Sequence, residues 1–239
     1  YVPGNHDMGF TPENVNLALP GVNQARDPKD KFGIGTYRPD DYPQIAIEHG
    51  HRYDFFNAIA PNANEAEAPG ATLPPGYFFA RIAANSFTDP TTKDAATKVP
   101  EVKLQDPSNP EQYSKNVYYT LWKFVLEEVI FVKDNFSEPI IKTNVGNFTK
   151  TYSINDIMPT NNPSDGSIQM KLYNNLFTQA NWDARTKYNN VPFPTNIKKA
   201  IAGSLNTEFL DDQSDEQYFK NATSNTRIVV FGHTHIPMI

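Results

Sequence analysis

Three short runs, each leading directly into a glycine- and histidine-bearing turn, constrain this chain more than any other feature. Tyr1 to Pro3 leads into Gly4-Asn5-His6-Asp7, Gln44 to Glu48 into His49-Gly50-His51, and Arg227 to Phe231 into Gly232-His233-Thr234-His235. The first reads as the tail of a strand and the second as a short, mostly apolar strand. The third is rich in β-branched residues, as a buried strand should be. Open α/β sheets gather their ligand sites just beyond the carboxyl ends of strands, so the three turns can converge. The predicted fold class is therefore α/β.

A chain of 239 residues supports one sizeable domain, or one domain carrying a large insertion. Residues 1–239 read as a single domain with an insertion or cap at about residues 60–222, longer than a catalytic core needs and suited to selecting a substrate. The clearest element there is a helix from about Glu111 to Asn135, opened by Ser108, Asn109 and Pro110. Val117, Leu121, Phe124, Val125, Val129 and Val132 follow helical spacing on one face, widened by Trp122, Leu126 and Ile130. Met170 to Arg185 and Asn196 to Leu205 also read as helical. Pro61 to Pro75, Asp89 to Pro107 and Pro159 to Gly166 read as loops. The aromatics of this region read as core, since packing is a more economical use for them than gripping a base or an acyl chain. Asp211, Asp212, Asp215 and Glu216 lack the ligand spacing of a calcium loop and read as a solvated face.

Composition narrows the chemistry. The formal charge of −6 comes with no basic run, so no nucleic-acid groove is evident. No apolar run approaches the roughly 20 residues of a membrane span. Cysteine is absent, which leaves histidine, carboxylate and amide groups as metal ligands and does not fix a compartment.

All five histidines lie in the three turns. Asn5 offers an amide oxygen to a hard cation, and Asp7 is placed to hydrogen-bond His6, fixing its tautomer for proton donation. Gly50 permits close approach of the backbone. His49 and His51, like His233 and His235, are spaced so that both rings of an extended segment face the same way.

GNHD, a later HGH and a final GHTH, in that order, resemble the calcineurin-like metallophosphoesterase superfamily, and the wording IEHGHRYDFFN is similar to its bacterial phosphodiesterase and phosphohydrolase branches. The resemblance implies a four-layer α/β/β/α fold, with two mixed sheets between helices and a dinuclear centre at the strand ends. It implies Asn5, His49 and His233 as ligands of one metal and His235 as a ligand of its neighbour. It implies His6 as the group that protonates the leaving oxygen, with Asp7 orienting it. His51 either touches the substrate or supports the site from behind, and Arg52 is a candidate phosphate contact. Two divalent ions of manganese, iron or zinc, about 3.5–4 Å apart, would activate a hydroxide for attack on phosphorus. The implied substrate is a small-molecule or lipid-linked phosphate ester, or a nucleotide.

The superfamily also carries D-x-H and GD motifs, and neither occurs in this chain. The expectation is an internal segment of a longer enzyme that binds metal weakly and turns over little by itself, with exposed sheet edges open to self-association. A mononuclear metallohydrolase and a degenerate, non-catalytic phosphoesterase-like binding module are the alternatives.

Overall fold

The computed structural model describes residues 1–25, 35–86, 97–129, 136–191, 193–194, 196–206 and 209–233. In chain order its helices are α1 (Pro12–Ala18), α2 (Pro75–Ser86), α3 (Pro110–Phe124), α4 (Gln179–Asn189), α5 (Ile197–Leu205) and α6 (Phe209–Ser214). Its strands are β1 (Ile45–Glu48), β2 (Ile141–Lys142), β3 (Thr151–Tyr152), β4 (Thr160–Asn161), β5 (Ile168–Gln169) and β6 (Ile228–Phe231). Helices and small sheets together make the chain α/β. Among the described residues the strands pair only two by two, β1 with β6 in parallel and β2–β3 and β4–β5 antiparallel, so the two mixed sheets implied by the resemblance are not formed there. No helix among them is long and apolar enough to cross a membrane.

The chain divides into two compact units: residues 1–59, 185–194 and 199–239, and residues 60–184 with 195–198. Within residues 60–222, positions 185–194 and 199–222 thus belong to the first unit.

In the first unit β1 and β6 run in register from Ile45 opposite Ile228 to Glu48 opposite Phe231. Tyr37 adds an antiparallel bridge to Ile47. Along β1, Ala46 and Glu48 are the buried positions, the period-two alternation of a strand with one covered face. Strand β6 departs from the expectation of a buried strand: Ile228 and Val230 are 51% and 45% exposed. Only β1 flanks β6 among the described residues, and only its Val229/Phe231 face is partly covered, with Phe231 edge-on to Tyr53. Tyr1 to Pro3 forms no strand. The Tyr1 carbonyl accepts from the Ala25 N–H at 2.7 Å, and Pro3 has no N–H to offer a ladder.

Glu48 is the polar centre of this unit. Its carboxylate is 3% exposed and accepts from the Tyr53 hydroxyl at 2.6 Å and the Tyr218 hydroxyl at 2.7 Å. Arg52 meets both oxygens, Nε to Oε2 at 2.7 Å and a terminal nitrogen to Oε1 at 3.0 Å. Burial by itself would lower the Arg52 guanidinium, but the neighbouring Glu48 carboxylate outweighs it and holds the group above its ordinary value. A second buried cation, Arg185, donates to the carbonyls of Phe55 and Ala58 and lies over the Phe193 ring at 4.1 Å. It fixes the loop that leaves the second histidine motif.

In the second unit α3 starts as read from the sequence. Asn109 Oδ1 accepts from the N–H groups of Glu111 and Gln112, and Pro110 occupies the first turn. The helix ends at Phe124 and continues as a π-helical turn, Val125–Val129; the remainder of the expected helix, residues 130–135, lies outside the described residues. The buried stripe is Tyr118, Tyr119, Trp122, Val125 and Leu126, whereas Phe124 and Val129 are 57% and 55% exposed. The larger aromatic rings of Tyr118 and Trp122 take the core position, and the wider π turn shifts the helical phase along Val125–Val129. Pro159 to Gly166, expected as loop, includes β4 and turns back into β5. Phe78, Phe148, Tyr152 and Tyr173 are fully buried, and the Phe78 ring meets the other three at 5.0, 5.6 and 5.9 Å. These aromatics are core.

Replacing Glu48 tests its role in the first unit. Glu48→Ala leaves the buried Arg52 charge without its counter-ion, and denaturant unfolding should show a loss of roughly 3–5 kcal/mol. A loss under about 1 kcal/mol would place the network with weak surface pairs instead.

Candidate metal centre

The parallel register of β1 and β6 determines where two of the three motifs meet. Glu48 lies opposite Phe231, so His49 and Gly232 follow at the same end, and the Gly232 N–H donates to the His49 carbonyl at 3.3 Å. Gly50 has φ +94°, and a Cβ there would lie 3.1 Å from Phe231 Cδ1 and 3.5 Å from His233 Cβ. Any side chain would be both strained and crowded, which is why a glycine sits between the two histidines. Gly4 does the same for the first motif: a Cβ would lie 2.7 Å from His49 Cδ2. Gly4 thus lets the GNHD turn approach His49, and Gly50 lets Phe231 and His233 approach the HGH turn. The His49 ring centroid is 5.0 Å from that of His233 and 5.3 Å from that of His51.

His51 opens a 3-10 turn, His51–Tyr53, and is 3% exposed. Neither of its ring nitrogens has a hydrogen-bond partner among the described residues. Burial, then the proximity of His49, His233 and Arg52, lowers its pKa from 6.5 to about 3, so the ring is neutral and its lone pair is available. Arg52, a candidate phosphate contact from the sequence, is instead buried against Glu48. It makes a further hydrogen bond to the Tyr218 hydroxyl, and its guanidinium is already committed.

His6 is exposed. Asp7 does not bond its ring as expected: the Asp7 carboxylate accepts from the Gly4 N–H at 2.6 Å. A tight turn brings the side chain of its fourth residue back over the first N–H, and that backbone donor wins. Asp7 therefore fixes the turn that presents His6 and Asn5. His235 lies outside the described residues.

Two residues beside the motif went unassigned in the sequence. Asp54 is 8% exposed, and its Oδ2 lies 2.9 Å from His233 Nε2 and 2.5 Å from Asn57 Nδ2; its Oδ1 accepts from the Phe56 N–H at 2.7 Å. Burial pushes the Asp54 carboxyl up, but hydrogen bonds from His233, Asn57 and Ser204 outweigh it and hold the group below the usual carboxylate range. The Asn57 carbonyl oxygen in turn accepts from Asn5 Nδ2 at 3.0 Å. The only signal available beforehand was position: both residues lie within the quoted IEHGHRYDFFN stretch.

The chain matches no family model, no curated protein and no solved structure.

The donor set of imidazoles and an amide oxygen fits the chemistry of a divalent transition metal. Among the described residues, no three histidine, aspartate or glutamate side chains are arranged to hold one ion.

The depressed His51 pKa has a consequence for acid stability. Between pH 6.5 and about 3 the unfolded chain binds a proton at His51 that the folded chain refuses. Its contribution to stability is thus complete above 6.5 and is lost as pH falls towards 3. Urea unfolding of metal-free protein across that window should show wild type losing up to about 1.4 kcal/mol per pH unit more than His51→Leu. Parallel slopes for the two proteins would refute the buried neutral state.

Proposed function

We propose that this chain contributes part of the metal centre of a phosphoesterase of the calcineurin-like type, built on the four-layer fold of that superfamily. One observation carries the reading: the rings of His49 and His233 lie 5.0 Å apart at the ends of two adjacent parallel strands, with the Gly4–Asp7 turn packed against His49. The substrate class is a small-molecule or lipid-linked phosphate ester, or a nucleotide.

In this reading Asn5, His49 and His233 hold one divalent ion and His235 contributes to a second. When bound, such ions supply a hydroxide at neutral pH and neutralise the phosphate oxygens. The exposed His6 lies on the turn beside these ligands and protonates the departing alkoxide. Asp7 keeps that turn closed through the Gly4 N–H. His51 supports the ligands from the buried side, and Arg52 holds the turn that carries His51 rather than meeting the phosphate.

The product of the natural gene, supplied with manganese, iron or zinc, should hydrolyse bis-p-nitrophenyl phosphate. His49→Ala and His233→Ala should each lower kcat/KM by about 100-fold or more and reduce bound metal per chain. One ion per chain with retained turnover would favour a mononuclear metallohydrolase. Metal binding with no turnover of mono- or diesters would favour a degenerate binding module.

A further inference from the structure

Asp54, Asn57, Asn5 and His233 form a hydrogen-bonded chain whose direction is fixed by a single charged group. The Asp54 carboxylate can only accept, and three N–H donors converge on it: the Phe56 backbone, Asn57 Nδ2 and His233 Nε2. His233 must therefore carry its proton on Nε2 to meet Oδ2 at 2.9 Å, which leaves Nδ1 with a free lone pair. The same constraint passes through Asn57. Its amide nitrogen has to face the carboxylate, so its oxygen faces Asn5 and accepts from Asn5 Nδ2 at 3.0 Å. With its nitrogen used in this way, the end of the Asn5 amide opposite Asn57 is its oxygen. A partly buried amide–carboxylate chain of this kind has one favourable arrangement, because any reversal places donor against donor or acceptor against acceptor.

We infer that Asp54 and Asn57 are positioning residues that decide which atoms the centre offers a metal: Nδ1 of His233 and Oδ1 of Asn5. This goes beyond the histidine and asparagine ligands themselves and rests on the functional reading above only for the identity of what binds. Carboxylate partners of metal-ligating histidines fix the tautomer and raise the basicity of the opposite nitrogen. Here one carboxylate serves two ligands from motifs far apart in the chain, His233 directly and Asn5 through an amide. Asp54→Asn breaks the logic at its source. One end of the new amide must keep accepting from the Phe56 N–H, and that turns its NH2 group towards His233. The ring can then only accept at Nε2, so its proton moves to Nδ1 and the ligand atom is lost.

The test reads the tautomer without metal or substrate. Nitrogen-15 NMR of the histidine rings, with the His233 signals assigned by their loss in His233→Gln, should show Nε2–H in metal-free wild type and Nδ1–H in Asp54→Asn. Cobalt titration should then show affinity lower by about 10–100-fold in Asp54→Asn and in Asn57→Leu. Nδ1–H in wild type would overturn the inference even if the variant fails to fold, as would an unchanged tautomer in a folded Asp54→Asn. The predicted tautomers together with no cobalt binding by wild type would support the positioning role and defeat the phosphoesterase reading.

Discussion

The buried carboxylate of Glu48 is the contact on which the first unit depends. It ends β1 and sits one residue before His49, and it is met by Arg52, Tyr53 and Tyr218 within 2.6 to 3.0 Å. A carboxylate so placed costs solvation free energy unless its oxygens are filled. The chain fills them from the adjoining 3-10 turn and from Tyr218, 170 residues away. That requirement forces the backbone to fold back immediately after the strand. The forced turn puts His51 on the buried side of the motif and leaves the His49 ring beside those of His51 and His233.

Asp54 repeats this arrangement at the other end of the turn with a different consequence. Glu48 is enclosed by residues that do not belong to the histidine motifs, and it acts on the backbone path. Asp54 is enclosed by a histidine and by an asparagine linked to a second motif, and it acts on hydrogen-bond direction. Between them lie the neutral His51 ring, sealed from water, and the glycine whose positive φ lets the two histidine motifs approach. Path and polarity of the site are thus set by two separate buried carboxylates within seven residues, from Glu48 to Asp54.

The second unit is stabilised differently. Its centre is a set of aromatic rings meeting edge to face, with Phe78 against Phe148, Tyr152 and Tyr173. Lys115 is its buried cation, paired with Glu111 at 2.7 Å and bonded to Asn174 at 2.9 Å. Apolar and aromatic burial gives this unit its core, and the tyrosines and phenylalanines that do so are spent on packing.

Much was legible in the residues themselves. The α/β class, the capped start of α3 at Asn109 and Pro110, and strands ending at Glu48 and Phe231 follow from local chemistry: side-chain period, a capping amide, β-branched runs. What the sequence could not decide was which of several available partners each polar group takes. Asp7 went to the Gly4 N–H instead of His6 because the tight turn brings that donor to it, and Arg52 to Glu48 instead of a phosphate because both charges are buried. Asp54 found His233 across 179 residues, a pairing that no spacing rule contains. The sequence by itself determined which chemical groups the three turns carry. Only the tertiary structure decided which atoms of those groups are used up in holding the site together and which are left to bind, since hydrogen-bond direction is fixed by what lies across the contact.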